Sequence, residues 1–193
     1  MKAGVRALGV AESYRGRSGT GAASTLAGVV ARASRVVDGF AFGSCTVGGT
    51  DATEGVLGLW ETLDRADVRY LLLAGIAPAW YNVLDLHRLH EAVGRPVLSI
   101  SFEGSDGLEP ALREAFSGDA LDVRLDVYRR QPPRRRLPVD GETVFVRSVG
   151  DADGEAADVV RAFTPEGGRP EPLRVARLAA RAADAWAGTD GGG

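Results

Sequence analysis

Residues 68–76, Val-Arg-Tyr-Leu-Leu-Leu-Ala-Gly-Ile, decide the fold. The stretch is almost continuously apolar, which is the pattern of a central strand covered on both faces. Helices and strands alternate around it along the chain. We predict a helix before it at 52–64 and, after it, a helix at 81–93, a strand at 96–102 and a helix at 108–117. This alternation indicates an α/β domain.

Three more strands are predicted ahead of the central one. Residues 5–10 alternate as a strand does, and two apolar, β-branched stretches at 25–33 and 35–47 are separated by a turn near Ser34, which predicts an antiparallel ribbon. The remaining elements are expected to be a strand at 121–128, an arginine-rich loop, a strand at 143–149, and helices at 154–163 and 171–186. Three leading strands, a helix and then alternating elements form the element order of the RNase H-like fold. We therefore predict an RNase H-like mixed sheet flanked by helices.

The composition is that of a globular protein. Of the 193 residues, 45% are apolar and 25% are charged, which suits one domain; we assign it to residues 1–188 and expect the glycine-rich residues 189–193 to be a flexible tail. No apolar run approaches the roughly 20 residues that a membrane helix needs, so no membrane partner is expected. The lone Cys45 excludes an internal disulfide and fits a reducing compartment. We expect a cytoplasmic protein, and the oligomeric state stays open.

Arginine clustering is the main charge feature, because the formal net charge of −3 provides no general attraction to nucleic acid. All 23 basic residues except Lys2 are arginines, and the segment 129–136 contains five of them, Arg134 and Arg135 included. Its prolines keep this segment out of a helix and out of a central strand. The segment is either a solvated loop or a loop that contacts phosphates.

The segment Asp51-Ala52-Thr53-Glu54 has two interpretations. Its spacing is that of a capping box, in which Asp51 would cap a helix and Glu54 would reach back to it. Alternatively, both carboxylates lie beside Glu12 at the end of the first strand and take part in metal-assisted phosphodiester cleavage. The spacing alone favours the cap.

The last helix is well delimited, since Pro170 and Pro172 flank its first residue, Glu171. We expect an apolar stripe that packs on the domain, formed by Val175, Leu178, Ala179, Ala182 and Trp186. Another face presents Arg174, Arg177 and Arg181, which either point into solvent or face a polyanion.

Four segments together resemble the archaeal endonuclease dU family, which is similar to endonuclease V and has an RNase H-like fold. They are 8–13 (Leu-Gly-Val-Ala-Glu-Ser), 47–53 (Val-Gly-Gly-Thr-Asp-Ala-Thr), 72–76 with 81–85 (Leu-Leu-Ala-Gly-Ile and Tyr-Asn-Val-Leu-Asp) and 170–176 (Pro-Glu-Pro-Leu-Arg-Val-Ala). Their order and spacing span nearly the whole chain, and the last is the most specific.

The resemblance implies a metal-dependent endonuclease that acts on deaminated bases in DNA, with deoxyuridine as the suggested lesion and RNA as the alternative polymer. It implies that Glu12 and Asp51 bind Mg²⁺ or Mn²⁺ and that Glu54 is a third catalytic carboxylate. The phosphate backbone would be held by arginines, and the base would lie near two residues that follow the central strand. These nucleic-acid-binding residues are Arg174, Arg177, Arg134 and Arg135, with Tyr81 and Asn82 beside the base.

Two positions depart from the family pattern. The central strand is expected to end in Asp-Gly, whereas this chain has Ala74-Gly75, and a histidine is expected in the last helix where Arg177 stands. Loss of the central carboxylate lowers the expected metal affinity. The alternative function is therefore a catalytically degenerate relative that binds nucleic acid without cutting it.

Overall fold

A computed structural model describes residues 1–16, 19–151, 154–165 and 167–189. In this part of the chain the strands form a seven-stranded mixed sheet of order β3-β2-β1-β4-β5-β7-β6. The strands are β1 Arg6–Glu12, β2 Ala23–Arg32, β3 Val37–Thr46, β4 Val68–Ala74, β5 Val97–Ser101, β6 Arg135–Val139 and β7 Glu142–Val149. The helices are α1 Ala52–Leu63, α2 Pro78–Tyr81, α3 Leu86–Val93, α4 Glu109–Ala115, α5 Gly118–Arg130, α6 Glu155–Phe163 and α7 Glu171–Thr189.

The central strand β4 is parallel to both of its neighbours, β1 and β5. Leu71, Leu72 and Leu73 are each 0% exposed. Leu71 and Leu73 belong to the core under α1 and α3, whereas Leu72 packs in the core that contains α6. The prediction of a strand covered on both faces is confirmed, although β4 ends at Ala74, two residues earlier than predicted.

The three leading strands pair as the predicted antiparallel arrangement, β1 with β2 and β2 with β3. Helix α7 crosses β1 and β2 on the face opposite α1, and its approach is close. A Cβ atom added to Gly9 would lie 2.5 Å from Cβ of Pro172. Only a residue without a side chain permits this contact, so Gly9 sets how closely the last helix packs on the first strand.

The predicted apolar stripe of α7 is wrong. The buried residues of this helix include Leu173, Ala176 and Ala180, while Leu178 and Trp186 are 56% and 70% exposed. The small residues are buried because α7 lies directly on β1 and β2, where only small side chains fit between the two backbones. The helix also extends to Thr189, one residue into the predicted tail, and residues 190–193 lie outside the described residues.

Two other elements differ from the prediction. Residues 121–128 belong to helix α5 instead of a strand, because Leu121, Leu125 and Tyr128 follow a helical spacing and pack together against Val83. The predicted helix at 81–93 is divided. Backbone φ angles are positive from Ala79 to Tyr81, and a right-handed helix cannot contain such residues. Helix α3 then begins after Asp85, whose side chain accepts a hydrogen bond from the Arg88 amide.

The arginine-rich segment 129–136 is a loop only at its centre. Arg129 and Arg130 end α5, and Arg135 begins β6. Strand β6 is an edge strand, which is why Pro138 is tolerated within it. In the described part of the chain, no helix is long and apolar enough to cross a membrane.

Candidate active site

Glu12 lies at the carboxyl end of β1, on the strand face that α1 covers. Its Oε2 atom accepts hydrogen bonds from the Tyr14 amide and, at 3.0 Å, from Ser24 Oγ of the adjacent β2. Burial raises the pKa of Glu12 above its ordinary value, although these hydrogen bonds and the positive charges of Arg177 and Arg181 oppose the shift. Within the described residues both hydrogen bonds go to Oε2, which leaves Oε1 to receive another ligand.

Asp51 precedes α1, yet its side chain does not cap the helix. It turns back to β3 and accepts hydrogen bonds from the Thr46 amide at 2.9 Å and from Thr46 Oγ1 at 2.8 Å. Asn82 Nδ2 donates a further one to Asp51 Oδ1 at 2.7 Å. Burial alone would raise the pKa of Asp51, but these hydrogen bonds outweigh it and lower the pKa, so the carboxylate is ionised at neutral pH.

The capping-box prediction is therefore wrong, because donors outside the helix, on Thr46 and Asn82, capture the Asp51 carboxylate. Glu54 does not reach back to Asp51 either. Its side chain is 55% exposed and forms an ion pair with Arg88 of α3.

Asn82 connects Asp51 to the structure around it. Its side chain is fully buried and makes three hydrogen bonds, donating to Asp51 and to the Thr46 carbonyl and accepting from the Ala52 amide at 2.9 Å. The left-handed backbone of Ala79–Tyr81 immediately precedes it. Asn82, expected beside the base, thus lies beneath Asp51, and Tyr81 packs half-buried against Trp80 and Phe116.

Two carboxylates, Glu12 and Asp51, act electrostatically on Cys45. Ser24, which bonds Glu12, is the register partner of Cys45, and the next residue, Thr46, holds Asp51. Burial, together with the charges of Asp51 and Glu12, raises the pKa of Cys45 to about 12. The thiol therefore stays protonated, and Glu12 and Asp51 are both within electrostatic reach of it.

The chemistry of this donor pair fits one hard divalent cation. Carboxylate oxygens are the ligands that Mg²⁺ and Mn²⁺ prefer, and Mg²⁺ is often held by one or two carboxylates, with water and substrate completing its shell. Ala74 adds no oxygen ligand at the end of β4. Across residues 1–16, 19–151, 154–165 and 167–189, no three His, Cys, Asp or Glu side chains are grouped so as to hold a metal ion. Glu54 is thus not brought together with Glu12 and Asp51.

A cleft of about 340 Å³ opens at the carboxyl ends of β4 and β5. Ala74 borders both this cleft and a small hollow that Glu12 lines, so the cleft adjoins the carboxylate site. Four arginines line it: Arg134, Arg147, Arg169 and Arg177. The site therefore combines two acids with a basic wall.

The other arginines expected from the sequence lie outside the cleft lining. Arg174 is bound by Glu171, with its Nε and Nη2 atoms 2.7 Å and 2.6 Å from the carboxylate oxygens. Arg135 is exposed on the edge strand β6. Arg177 alone belongs to both parts of the site, because it lines the cleft and its charge acts on Glu12.

Four residues of this site were not anticipated: Ser24, Thr46, Arg147 and Arg169. Phe145 and Arg147 alternate along β7 and therefore share one face, a signal that could have identified Arg147. Strand pairing brings Ser24 and Thr46 to the carboxylates, and Arg169 is placed by its contact with the Phe102 ring. No local pattern in the sequence predicts these contacts.

Comparisons with known proteins place the chain in a family. Residues 3–184 match the family model described as Endonuclease dU. The chain is 34% identical over 175 residues to the UPF0215 protein of Pyrobaculum calidifontis, an alignment that covers 90% of this chain and 93% of that protein.

Solved structures show the same fold. A protein of unknown function from Archaeoglobus fulgidus has a TM-score of 0.80 at 23% identity, covering 93% of this chain and 98% of that one. Endonuclease V of Ciona intestinalis, in complex with DNA containing an inosine followed by a ribo-adenosine, has a TM-score of 0.59 at 12% identity, covering 93% and 85%. The predicted RNase H-like fold is confirmed.

Proposed function

The chain belongs to the endonuclease dU family, and we propose that it is an endonuclease that cleaves DNA at deaminated bases, deoxyuridine first among them. The family match and the endonuclease V fold support phosphodiester hydrolysis as the reaction. The observation that carries the proposal is the pair of carboxylates, Glu12 and Asp51, whose charges both act on Cys45, with Glu12 lining a hollow that adjoins an arginine-lined cleft.

In this proposal Glu12 and Asp51 hold one Mg²⁺ or Mn²⁺ ion. When bound, such an ion supplies a Lewis acid for the phosphate and lowers the pKa of a water molecule. Glu12 must be deprotonated to bind it, and burial opposes this, whereas Asp51 is already ionised.

The remaining residues orient a carboxylate or neutralise the charge of a phosphate. Thr46 and Asn82 fix the direction of the Asp51 carboxylate, which makes both of them positioning residues. Arg177 lies where it can neutralise a phosphate next to Glu12.

More distant contacts complete the proposal. Arg134 binds a phosphate inside the cleft. Arg135 and Arg174, both exposed, contact the nucleic-acid strand outside the cleft. Tyr81 is the residue that we assign to contact with the base. Glu54 is assigned no part, since its side chain pairs with Arg88.

The test is strand cleavage of oligonucleotides that contain deoxyuridine, deoxyinosine or RNA inosine, each with Mg²⁺ or Mn²⁺. We expect Glu12→Gln and Asp51→Asn each to abolish cleavage, because each removes an ionised oxygen ligand. Glu61→Gln, on the exposed face of α1, is the matched control and should cleave as the wild type does.

Three results would count against the proposal. Cleavage that survives both substitutions would show that Glu12 and Asp51 are not the site, and cleavage lost in Glu54→Gln would give Glu54 a role that its ion pair does not suggest. Salt-sensitive binding by the wild type without cleavage of any substrate would establish the alternative, a relative that binds and does not cut.

A further inference from the structure

The arginine-lined cleft contains charge that the protein itself does not neutralise. Its lining includes four arginines and one acid, Glu103. In the described part of the chain none of the four, Arg134, Arg147, Arg169 or Arg177, forms an ion pair with a carboxylate. Arginines elsewhere do: Arg113 and Arg129 share Glu109, and Arg174 binds Glu171.

Hydrogen bonds and contacts with aromatic rings hold two of the four arginines in place. Arg134 donates to Ser101 Oγ at 2.9 Å and to Ser105 Oγ at 3.0 Å, and its guanidinium carbon lies 4.0 Å from the centre of the Phe145 ring. Arg147 donates to the Tyr128 hydroxyl at 2.9 Å. Burial and the neighbouring charge of Arg147 lower the pKa of Arg134, so the two cations repel each other across a partly buried wall.

The other two arginines have donors to spare. The guanidinium of Arg169 stacks on the Phe102 ring, 4.5 Å from its centre, and Arg177 reaches the cleft from α7. Within the described residues neither donates a hydrogen bond to the protein. Each guanidinium carries five N–H groups in a planar fork that matches two oxygens of a phosphate.

We infer that this cleft is a phosphate-binding subsite that holds the backbone of a nucleic-acid strand on the far side of Ala74 from Glu12. Repulsion among the arginines is relieved when an anion enters, and a strand brings one charge with each phosphate. Assigning the phosphate to a nucleic-acid strand rests on the proposed function, whereas anion binding by the cleft stands on its own contacts.

The phosphate could be an internal diester or a terminal monoester, and binding measurements separate the two. The probe is a single-stranded oligonucleotide without a deaminated base, with and without a 5′-phosphate, titrated by fluorescence anisotropy in EDTA. The variants are Arg169→Gln, Arg177→Gln and their combination. Arg113→Gln and Arg161→Gln, exposed and outside the cleft lining, are the matched controls.

We expect the double variant to reduce the salt dependence of log K by about 1.4, the value for two lost phosphate contacts on a single strand, while the controls keep the wild-type slope. Arg169→Lys should restore part of the lost affinity, since it retains the charge. Equal binding of both probes identifies a diester; a preference for the 5′-phosphate that the double variant loses identifies a monoester.

Thermal unfolding in inorganic phosphate provides a second measurement. Phosphate should raise the Tm of the wild type and of the controls but not of the double variant, because only a ligand that binds the folded state stabilises it. A purely structural role would instead lower the Tm of the variants and leave the phosphate response intact. Wild-type affinity, salt slope and phosphate response in the folded double variant would overturn the inference, and no outcome depends on cleavage.

Discussion

Replacing Asn82 with Asp tests how Asp51 is held. The substitution keeps the shape of the side chain but removes the donor that lies 2.7 Å from Asp51 Oδ1 and places a second carboxylate there. Two ionised carboxylates at that separation repel each other by about 6 kcal/mol at an effective dielectric constant of about 20. If one of them keeps a proton instead, the cost at neutral pH is about 4 kcal/mol, because each pH unit above an ordinary pKa near 4 costs about 1.4 kcal/mol. Retaining the proton is cheaper, so the folded variant should bind one.

The pH dependence follows from that proton. Between about pH 4 and neutrality the folded variant holds one proton more than the unfolded chain, so its free energy of unfolding should fall by about 1.4 kcal/mol per pH unit as the pH rises. The wild type should show no such slope from Asp51, since its lowered pKa contributes stability that is complete above the unfolded pKa and is lost only as the pH falls through the folded one.

Urea unfolding across this pH range measures the effect. Asn82→Ala is the control: it loses all three hydrogen bonds of the Asn82 side chain without adding charge, and should cost about 2–4 kcal/mol at every pH in the range. An Asn82→Asp profile that runs parallel to that of Asn82→Ala would refute the reasoning, since the two carboxylates would then not be adjacent.

Three further predictions concern other contacts. Glu12→Gln should raise the Tm at neutral pH without added cation, and this increase in Tm should vanish in acid. Because the pKa of Glu12 is raised in the folded protein, its ionised form destabilises the fold, and that cost disappears as the pH falls and the carboxylate is protonated. An equal Tm of variant and wild type at all pH values would contradict the burial of this carboxylate. Gly9→Ala should lower the free energy of unfolding by about 1–3 kcal/mol through its clash with Pro172, whereas Gly58→Ala, in open space on α1, should be neutral or stabilising in the same denaturation assay. Ala74→Asp should strengthen Mn²⁺ binding by about tenfold or more in calorimetry, since it adds a carboxylate beside the hollow that Glu12 lines; unchanged affinity would argue against a cation at Glu12.

The sequence was informative where structure depends on local pattern. The leucines of β4 predicted a strand buried on both faces, and the paired strands β2 and β3 followed from two apolar stretches and a turn. Glu12 and Asp51 were predicted as ligands through the family resemblance and not through spacing, because they lie 39 positions apart.

Two of the errors share one physical cause, which is that partners outside the local pattern decided the outcome. Asp51 looked like a helix cap because its spacing to Glu54 fits one, but Asn82, 31 positions away, supplies a competing donor. The stripe of α7 was misplaced since hydrophobicity favoured Leu178 and Trp186, whereas the close approach at Gly9 selected small side chains. The residues next to Asn82 and Gly9 in the sequence do not predict these long-range contacts.

The contact between Gly9 and Pro172 also bears on how the protein is made. Strand β1 is translated long before the helix that covers one of its faces, and Thr25 Oγ1 contacts Asp184 across 159 positions of the chain. On the ribosome, that face of β1 and β2 therefore stays uncovered until α7 has emerged. Contacts between such distant segments slow folding, and the exposed apolar face makes the nascent chain a client for chaperones. A ribosome that stalls before residue 170 leaves a sheet whose first strands lack their cover.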